Sequence, residues 1–195
     1  MPTMSKVESA FCRSVPWRLL AGRVILPWAL QGRPLTGDVL EIGGGSGAMA
    51  AQLARSFPDI RLTVTDVDDA MVAVARQRLR PFGSRTKAQQ ADATGLPFQS
   101  DRFDAVLSFI MLHHVIEWEA AVAQAVRVLR PGGWLLGYDL LATGPARLIH
   151  RVDRSRNRLI GREELRPVLE QQPVDDVRIR PALGGLVVQF SAERR

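Results

Sequence analysis

The chain has 195 residues, of which 46% are hydrophobic and 24% charged, a balance typical of one compact soluble domain. Its formal net charge of +6 comes almost wholly from arginine, since the only lysines are Lys6 and Lys87. That charge permits an acidic partner, but an arginine-rich solvated surface explains it equally. The single cysteine, Cys12, excludes an internal disulfide and a multi-cysteine metal cluster, so we predict no metal site and expect a reducing compartment.

The sequence predicts neither a secretory signal nor a membrane-spanning helix. Its first residues lack the basic-then-apolar layout of a secretory signal. No uncharged apolar run approaches the ~18 residues that a membrane-spanning helix needs. We therefore expect a cytoplasmic protein without a membrane span, and the sequence leaves its oligomeric state open.

The first 36 residues stand outside any regular pattern. Within them Trp17, Leu20, Val24 and Trp28 lie at helical spacing, although Pro27 should end or kink that helix. We expect a helical cap or lid, which either contributes to a substrate pocket or simply covers the rest of the domain.

From Val39 onward, strand-like and helix-like segments alternate, as in a parallel sheet with helices on both faces. The strand-like segments are 38–42, 60–66, 85–92, 103–112 and 134–141, and the helix-like segments are 46–57, 68–79 and 119–129. The last helix should be stopped by Pro131 and the glycine pair after it. An arginine-rich helical stretch then covers 146–172 with a break near 157–161, and two strands at 174–183 and 185–190 suggest a hairpin.

The stretch VLEIGGGSGAMA, residues 39–50, ends a strand in glycines and opens a helix. Gly43, Gly45 and Ala48 satisfy the loose dinucleotide pattern, so glycines alone leave the type of adenosine cofactor open. The acidic residues distinguish the candidate cofactors. Three neighbouring strands end in an acid, namely Glu41, Asp66 and Asp92, and the carboxyl ends of these strands meet at one crevice. Asp66 fits a ribose in either cofactor, but a pyrophosphate gives the other two acids no role. S-adenosylmethionine has no phosphate and carries a sulfonium and an ammonium group, which acidic surroundings suit.

Five motifs occur in the same order as in a known family. VLEIGGGSG, VTDVDDAM, ADATGLPF, FDAVLSFIMLHHV and VLRPGGWLL together resemble the class I S-adenosylmethionine-dependent methyltransferases, over residues 38–141. The resemblance implies a Rossmann-like α/β sandwich with a mostly parallel seven-stranded sheet, an antiparallel C-terminal hairpin strand and helices on both faces. We expect one domain over 1–195, with an N-terminal cap or lid (1–36), a cofactor-binding core (37–141) and C-terminal helices and hairpin (142–195).

The resemblance also implies roles for individual residues in binding S-adenosylmethionine. The Glu41 carboxylate lies near the methionine ammonium group, directly or through water, and glycines let the backbone approach the cofactor. Asp66 accepts from the ribose hydroxyls, and Asp92 accepts from the adenine amino group. The remaining contacts come from Gly43, Gly45 and Gly47 in the loop, Val67 on the adenine, the Ala93 amide at a ring nitrogen and Ser108 near the transferable methyl group. As alternatives, Asp66 or Asp68 caps a helix and Asp92 is a turn residue.

The methyl acceptor is inferred from the residues that follow the fourth strand. His113 and His114 follow the fourth strand, where an acceptor should arrive, and either one could be a general base or could orient the substrate. Alternatively, both begin the next helix and pack or face solvent. The N-P-P-Y-like run typical of methylation of base exocyclic amines or glutamine is replaced by SFIMLHH, and Cys12 lies away from the strand ends. We therefore predict transfer to an oxygen or nitrogen of a small molecule.

Two other functions remain open at this point. Seven arginines follow the fifth strand, namely Arg147, Arg151, Arg154, Arg156, Arg158, Arg162 and Arg166, together with His150, which we expect at the surface. They form either a solvated helical face or a docking surface for RNA or protein methylation, and the run lacks the aromatic residues that stack on bases. A cofactor-binding protein without turnover is disfavoured because Glu41, Asp66 and Asp92 are all present.

Overall fold

Seven strands of the described residues, β1 to β7 in chain order, form one sheet in the computed structural model, which describes residues 24–144 and 157–195. Their bounds are Gly37–Ile42 (β1), Ile60–Asp66 (β2), Thr86–Gln90 (β3), Phe103–Phe109 (β4), Leu129–Leu140 (β5), Val174–Ala182 (β6) and Val187–Arg194 (β7). Across the sheet the order is β3-β2-β1-β4-β5-β7-β6. β7 is antiparallel to both of its neighbours, and the other neighbouring pairs are parallel. The predicted sheet and hairpin are therefore confirmed.

Helices cover both faces of this sheet. They are α1 (Leu26–Ala29), α2 (Ala48–Ser56), α3 (Asp69–Leu79), α4 (Trp118–Val128) and α5 (Leu165–Glu170). One apolar core lies between the sheet and α1, α2 and α3, and a second lies between the opposite face and α4 and α5. The central strand β1 serves both cores, because Val39 belongs to the first and Leu40 to the second. Its nearly continuous burial is what a strand covered on both faces requires.

The sequence predicts two boundaries incorrectly. α4 ends at Val128, before Pro131, and the Pro131–Gly132–Gly133 run lies inside β5 rather than between a helix and a strand. The run forms an irregularity against β4, where Phe103 pairs with Leu129 but Ala105 already pairs with Trp134. Pro27 lies in the first turn of α1, and most of the helical stretch that it was predicted to end or kink lies outside the described residues.

The strand order reverses between β1 and β4, since the chain runs outward through β2 and β3 on one side of β1 and then returns to its other side. In open α/β sheets the ligand crevice lies at such a point, beyond the carboxyl ends of the strands. The glycine loop after β1 and the turn after β4 meet there.

Several predictions concern residues outside the described ranges. The helical face of Trp17 and Leu20, Cys12, His150 and the arginines from Arg147 to Arg156 lie outside them. Among the described residues, no helix is long and apolar enough to cross a membrane.

Candidate cofactor site

The glycine loop runs from the end of β1 into α2. Gly43, Gly45 and Gly47 all have positive φ, at 63°, 51° and 73°. Gly43 also lies too close to a neighbour for any side chain, because a Cβ built on it would be 1.8 Å from Cγ of Met111. Gly44 covers the carboxyl group of Glu41, since its Cβ would lie 3.3 Å from the Glu41 Cδ. The glycines thus let the loop backbone pass directly over β1 and against the turn after β4.

Glu41 is a buried carboxyl group beneath this loop. Only 2% of the residue is exposed, and its Oε2 has no hydrogen-bond partner in the described part of the chain. Burial, with a smaller contribution from the charge of Asp66, raises the pKa of Glu41 to about 8. A buried acceptor without a partner is unfavourable unless a ligand supplies the donor. An ammonium group fits this position and a pyrophosphate does not.

Asp66 connects the glycine loop to the turn after β2. Its Oδ2 accepts a hydrogen bond from the Gly45 N–H at 2.8 Å, and its Oδ1 accepts from the Asp68 N–H at 3.0 Å. The helix cap of α3 is Asp68, which accepts from the Ala70 N–H at 2.8 Å. A carboxylate has about four acceptor positions, so these two bonds leave Asp66 capacity for ribose hydroxyls.

The predicted adenine contacts lie at the ends of β2 and β3. Val67 is 50% exposed although it is apolar, and its carbonyl accepts from the Gln90 side-chain amide at 2.9 Å. Asp92 is a turn residue, as the alternative predicted, because its Oδ1 accepts from both the N–H and the hydroxyl of Thr94 at 2.8 Å. Ala93 begins a short 3₁₀ helix over 93–95. The adenine roles themselves stay predictions.

Ser108 lies near the end of β4, beside Ile42 of β1. It is 1% exposed, and its hydroxyl has no partner among the described residues. Side chains alternate along a strand, so Ser108 faces the side of Val106, whereas Glu41 faces the side of its pairing partner Leu107. Its predicted place beside the transferable methyl group stays a prediction.

The turn after β4 has a strained backbone. Ile110 has a φ of 51°, a left-handed conformation that costs a β-branched residue about 1–3 kcal/mol. The next two N–H groups, of Met111 and Leu112, donate to Oδ2 of Asp139 at 3.1 and 2.7 Å. Oδ1 of Asp139 accepts from the Leu140 N–H at 2.7 Å and is paired with Nδ1 of His113.

The two predicted histidines differ in burial and in hydrogen bonding. His113 is 1% exposed and bonded to the fully buried Asp139, while His114 is exposed with its ring centroid 4.0 Å from that of His113. Both lie in a 3₁₀ turn over 112–114 that precedes α4. The sequence analysis missed Asp139, although the signal was present: it is a fourth acid at a strand end, in the GYDLL run of β5.

An aromatic group, also missed by the sequence analysis, lies on the Glu41 face of the sheet at the ends of β4 and β5. Tyr138 packs against Trp28 of α1 at 5.3 Å and against Phe109 of β4 at 5.4 Å between ring centroids. Phe109 is two residues beyond the partner of Glu41, so both side chains face the same way. The contacts between these rings depend on which distant segments become neighbours, and residue spacing does not predict that.

Known proteins share both the sequence pattern and the fold. Residues 39–133 match the model of a methyltransferase domain family. A ubiquinone/menaquinone biosynthesis C-methyltransferase, UbiE, from Shewanella halifaxensis is 38% identical over 101 residues, which are 50% of this chain and 40% of that protein. The chain thus spans well under half the length of the curated relatives it matches.

Two solved structures share the fold at low sequence identity. The YcgJ protein of Bacillus subtilis has a TM-score of 0.70 at 19% identity and covers 90% of this chain and 98% of its own. Phosphoethanolamine N-methyltransferase 2 of Haemonchus contortus, in complex with S-adenosyl-L-methionine, has a TM-score of 0.74 at 16% identity and covers 89% and 52%. The matched region, the sheet order and the glycine loop together support the resemblance to the class I S-adenosylmethionine-dependent methyltransferases. The cofactor of this family carries the ammonium group that Glu41 fits.

Proposed function

We propose that this protein transfers a methyl group from S-adenosylmethionine to a small-molecule acceptor. The observation that carries the proposal is Glu41, a buried carboxyl group without a partner in the described residues, covered by the glycine loop. When bound, the cofactor supplies a methyl group on a sulfonium, which is already activated for in-line displacement. The work of the protein is then to bind, orient and exclude water.

The residues around the crevice divide this work. Glu41 binds the ammonium group of the cofactor and Asp66 the ribose hydroxyls, while the Gly45 N–H keeps the Asp66 carboxylate beside the loop. Val67, Asp92 and Ala93 surround the adenine. Ser108 lies near the methionine part, at the end of the strand that borders the acceptor side.

We infer that the acceptor binds beside a largely buried aromatic group, in which Phe109 is 8% and Tyr138 7% exposed. Trp28, Phe109 and Tyr138 form a group of rings at the ends of β4 and β5. Such a group favours an acceptor with a flat or apolar part. Sequence reasoning predicts an oxygen or nitrogen as the acceptor atom, whereas the curated relative named above is a C-methyltransferase. His114, exposed beside this turn, is the candidate for orienting the acceptor or removing its proton.

Binding and transfer assays test the proposal in sequence. Calorimetry should show S-adenosylmethionine binding to the wild type and no comparable binding of NAD, and tight NAD binding alone would refute the proposal. With methyl-labelled cofactor, the label should enter the small-molecule fraction of a metabolite extract, and mass spectrometry of the product identifies the methylated atom.

RNA and protein fractions, assayed in parallel, test the second function: methylation of RNA or protein, with the arginine-rich segment as the docking surface. Label confined to RNA, together with RNA binding that weakens steeply as salt rises, would replace the small-molecule proposal. The Glu41→Gln variant serves as the control, since it should lose label transfer to every fraction.

A further inference from the structure

The buried carboxylate of Asp139 accepts four hydrogen bonds, three of them from the turn that follows β4. Its donors are the Met111 and Leu112 N–H groups, the ring of His113 and the Leu140 N–H. Asp139 is completely buried, so these bonds replace its hydration. Hydrogen bonds to a buried carboxylate are among the stronger ones in proteins.

This turn would not keep its shape without external support. Ile110 has a φ of 51°, which a β-branched residue adopts only when its surroundings enforce it. The bonds on either side enforce it here: the Ile110 N–H donates to the Tyr138 carbonyl at 2.9 Å, and Asp139 holds the next two N–H groups. β5 thus fixes the turn at consecutive residues.

The turn after β4 also supports the glycine loop. The Met111 side chain occupies the space where Gly43 would carry a Cβ, with Met111 Cγ 1.8 Å from that position. A displacement of Met111 therefore removes the packing surface on which the loop at the end of β1 rests. Glu41 and the Gly45 N–H, which define the cofactor position, belong to or border that loop.

We propose that Asp139 is a positioning residue for the cofactor site: it holds the 110–113 turn in its strained conformation, so that Met111 supports the glycine loop. His113 acts with it by donating from Nδ1 to the carboxylate, rather than as a base toward the acceptor. The inference rests on the cofactor binding proposed above. The inference assigns a role in cofactor binding to Asp139, a residue that contacts neither the cofactor nor the acceptor.

The first test is the affinity of S-adenosylmethionine, measured by calorimetry without an acceptor. In Asp139→Asn, one acceptor oxygen becomes an NH₂ group that faces N–H donors, and we expect the Kd to rise about tenfold or more. Adding Ile110→Gly to this variant should recover part of the loss, about threefold or more, because glycine adopts a φ of 51° without support. A purely structural role for Asp139 predicts no such recovery.

Two substitutions at His113 separate positioning from base catalysis. The side-chain amide of an asparagine can replace Nδ1 as a donor, so His113→Asn should bind the cofactor within about twofold of the wild type and keep its turnover. His113→Ala lacks the donor and should bind about fivefold more weakly or worse. Circular dichroism and thermal unfolding check that each variant is folded, and the His113 pair provides the test if Asp139→Asn does not fold.

The outcomes are distinct. Unchanged affinity in folded Asp139→Asn and His113→Ala would overturn the inference while leaving the proposed function intact. Normal binding but no turnover in His113→Asn would overturn it in favour of a catalytic base. Failure of the wild type itself to bind S-adenosylmethionine would overturn the proposed function and, with it, this inference.

Discussion

Glu41 shows how one residue can reduce stability in favour of binding. Because the pKa of Glu41 is raised to about 8 from its ordinary value of 4.5, the folded protein without ligand keeps a proton that the unfolded chain releases. Stability should therefore fall as the pH rises from about 4.5 to 8, because ionising the buried group becomes part of the cost of folding. A cationic ligand reverses this preference, since it binds the ionised form.

Glu41→Gln should accordingly separate stability from binding. We expect the variant to unfold at a higher temperature than the wild type at pH 8, with the difference shrinking toward pH 5, and to bind S-adenosylmethionine at least about tenfold more weakly at pH 8. In the wild type, affinity should increase between pH 6 and 8, by up to about tenfold per unit, and in the variant this increase should disappear. Equal affinities for the two proteins at pH 8 would show that the carboxylate does not contact the cofactor.

At the scale of elements, the glycine loop and the turn after β4 depend on one close contact. Gly43→Ala places a methyl group onto Met111, whose Cβ as well as Cγ lies within 2.8 Å of it, so the backbone must move. Gly184 provides a matched control, since its φ of 65° is close to the 63° of Gly43, its ψ of 20° is that of an ordinary left-handed residue, and nothing lies within 4 Å of its Cβ position.

Both alanine variants should lose about 1 kcal/mol of unfolding free energy from the positive φ, measured by denaturant titration. Only Gly43→Ala should lose more than this and also bind S-adenosylmethionine more weakly. Normal cofactor affinity in Gly43→Ala would mean that the loop tolerates displacement by Met111.

The elements of this domain also show which features can be predicted from the sequence and which cannot. The helices and strands of the core follow from local periodicity, and the glycine loop and its three acids follow from motifs. The sequence indicates Asp139 as an acid at a strand end, but its bonds to the 110–113 turn depend on which strands become neighbours. The contacts of Tyr138 with Trp28 and Phe109 depend on this as well, and the run at Pro131 depends on how β5 pairs with β4. Strand neighbours and strand pairing are properties of the assembled sheet, so residue spacing along a single segment does not predict them.

At the scale of the whole molecule, a charged cluster lies at the end of the sheet opposite the crevice. Asp38 at the start of β1 is 5% exposed and pairs with Arg61 of β2, Arg102 before β4 and Arg130 of β5, at 2.7, 2.9 and 3.4 Å. The Arg61 hydrogen bonds, against the opposing effect of burial, hold the pKa of Asp38 well below its usual range. The cluster thus joins four central strands by charge, since Arg130 also pairs with Asp104 of β4 at 2.6 Å.

Asp38→Asn should therefore affect folding and not binding. We expect a loss of about 1–2 kcal/mol of unfolding free energy at pH 7, a modest value because the three arginines are substantially exposed. The wild type should lose this contribution only as the pH falls below about 3.8, the ordinary value for Asp, so the two proteins should converge in acid.

Glu170→Gln breaks the exposed Arg166–Glu170 pair and serves as a control, with an expected change under about 0.5 kcal/mol. S-adenosylmethionine affinity should be unchanged in both variants. A weaker affinity in Asp38→Asn would show that the two ends of β1 are energetically coupled.

The two buried carboxyl groups of β1, three positions apart, have pKa values shifted in opposite directions. With respect to these two groups, the free protein is most stable in mildly acidic buffer, while S-adenosylmethionine binds best near pH 8. The thermal shift produced by the cofactor should then be small at pH 5 and large at pH 8. The choice of buffer thus decides the outcome of a ligand screen on this protein: an acidic buffer chosen for its high melting temperature would conceal the ligand.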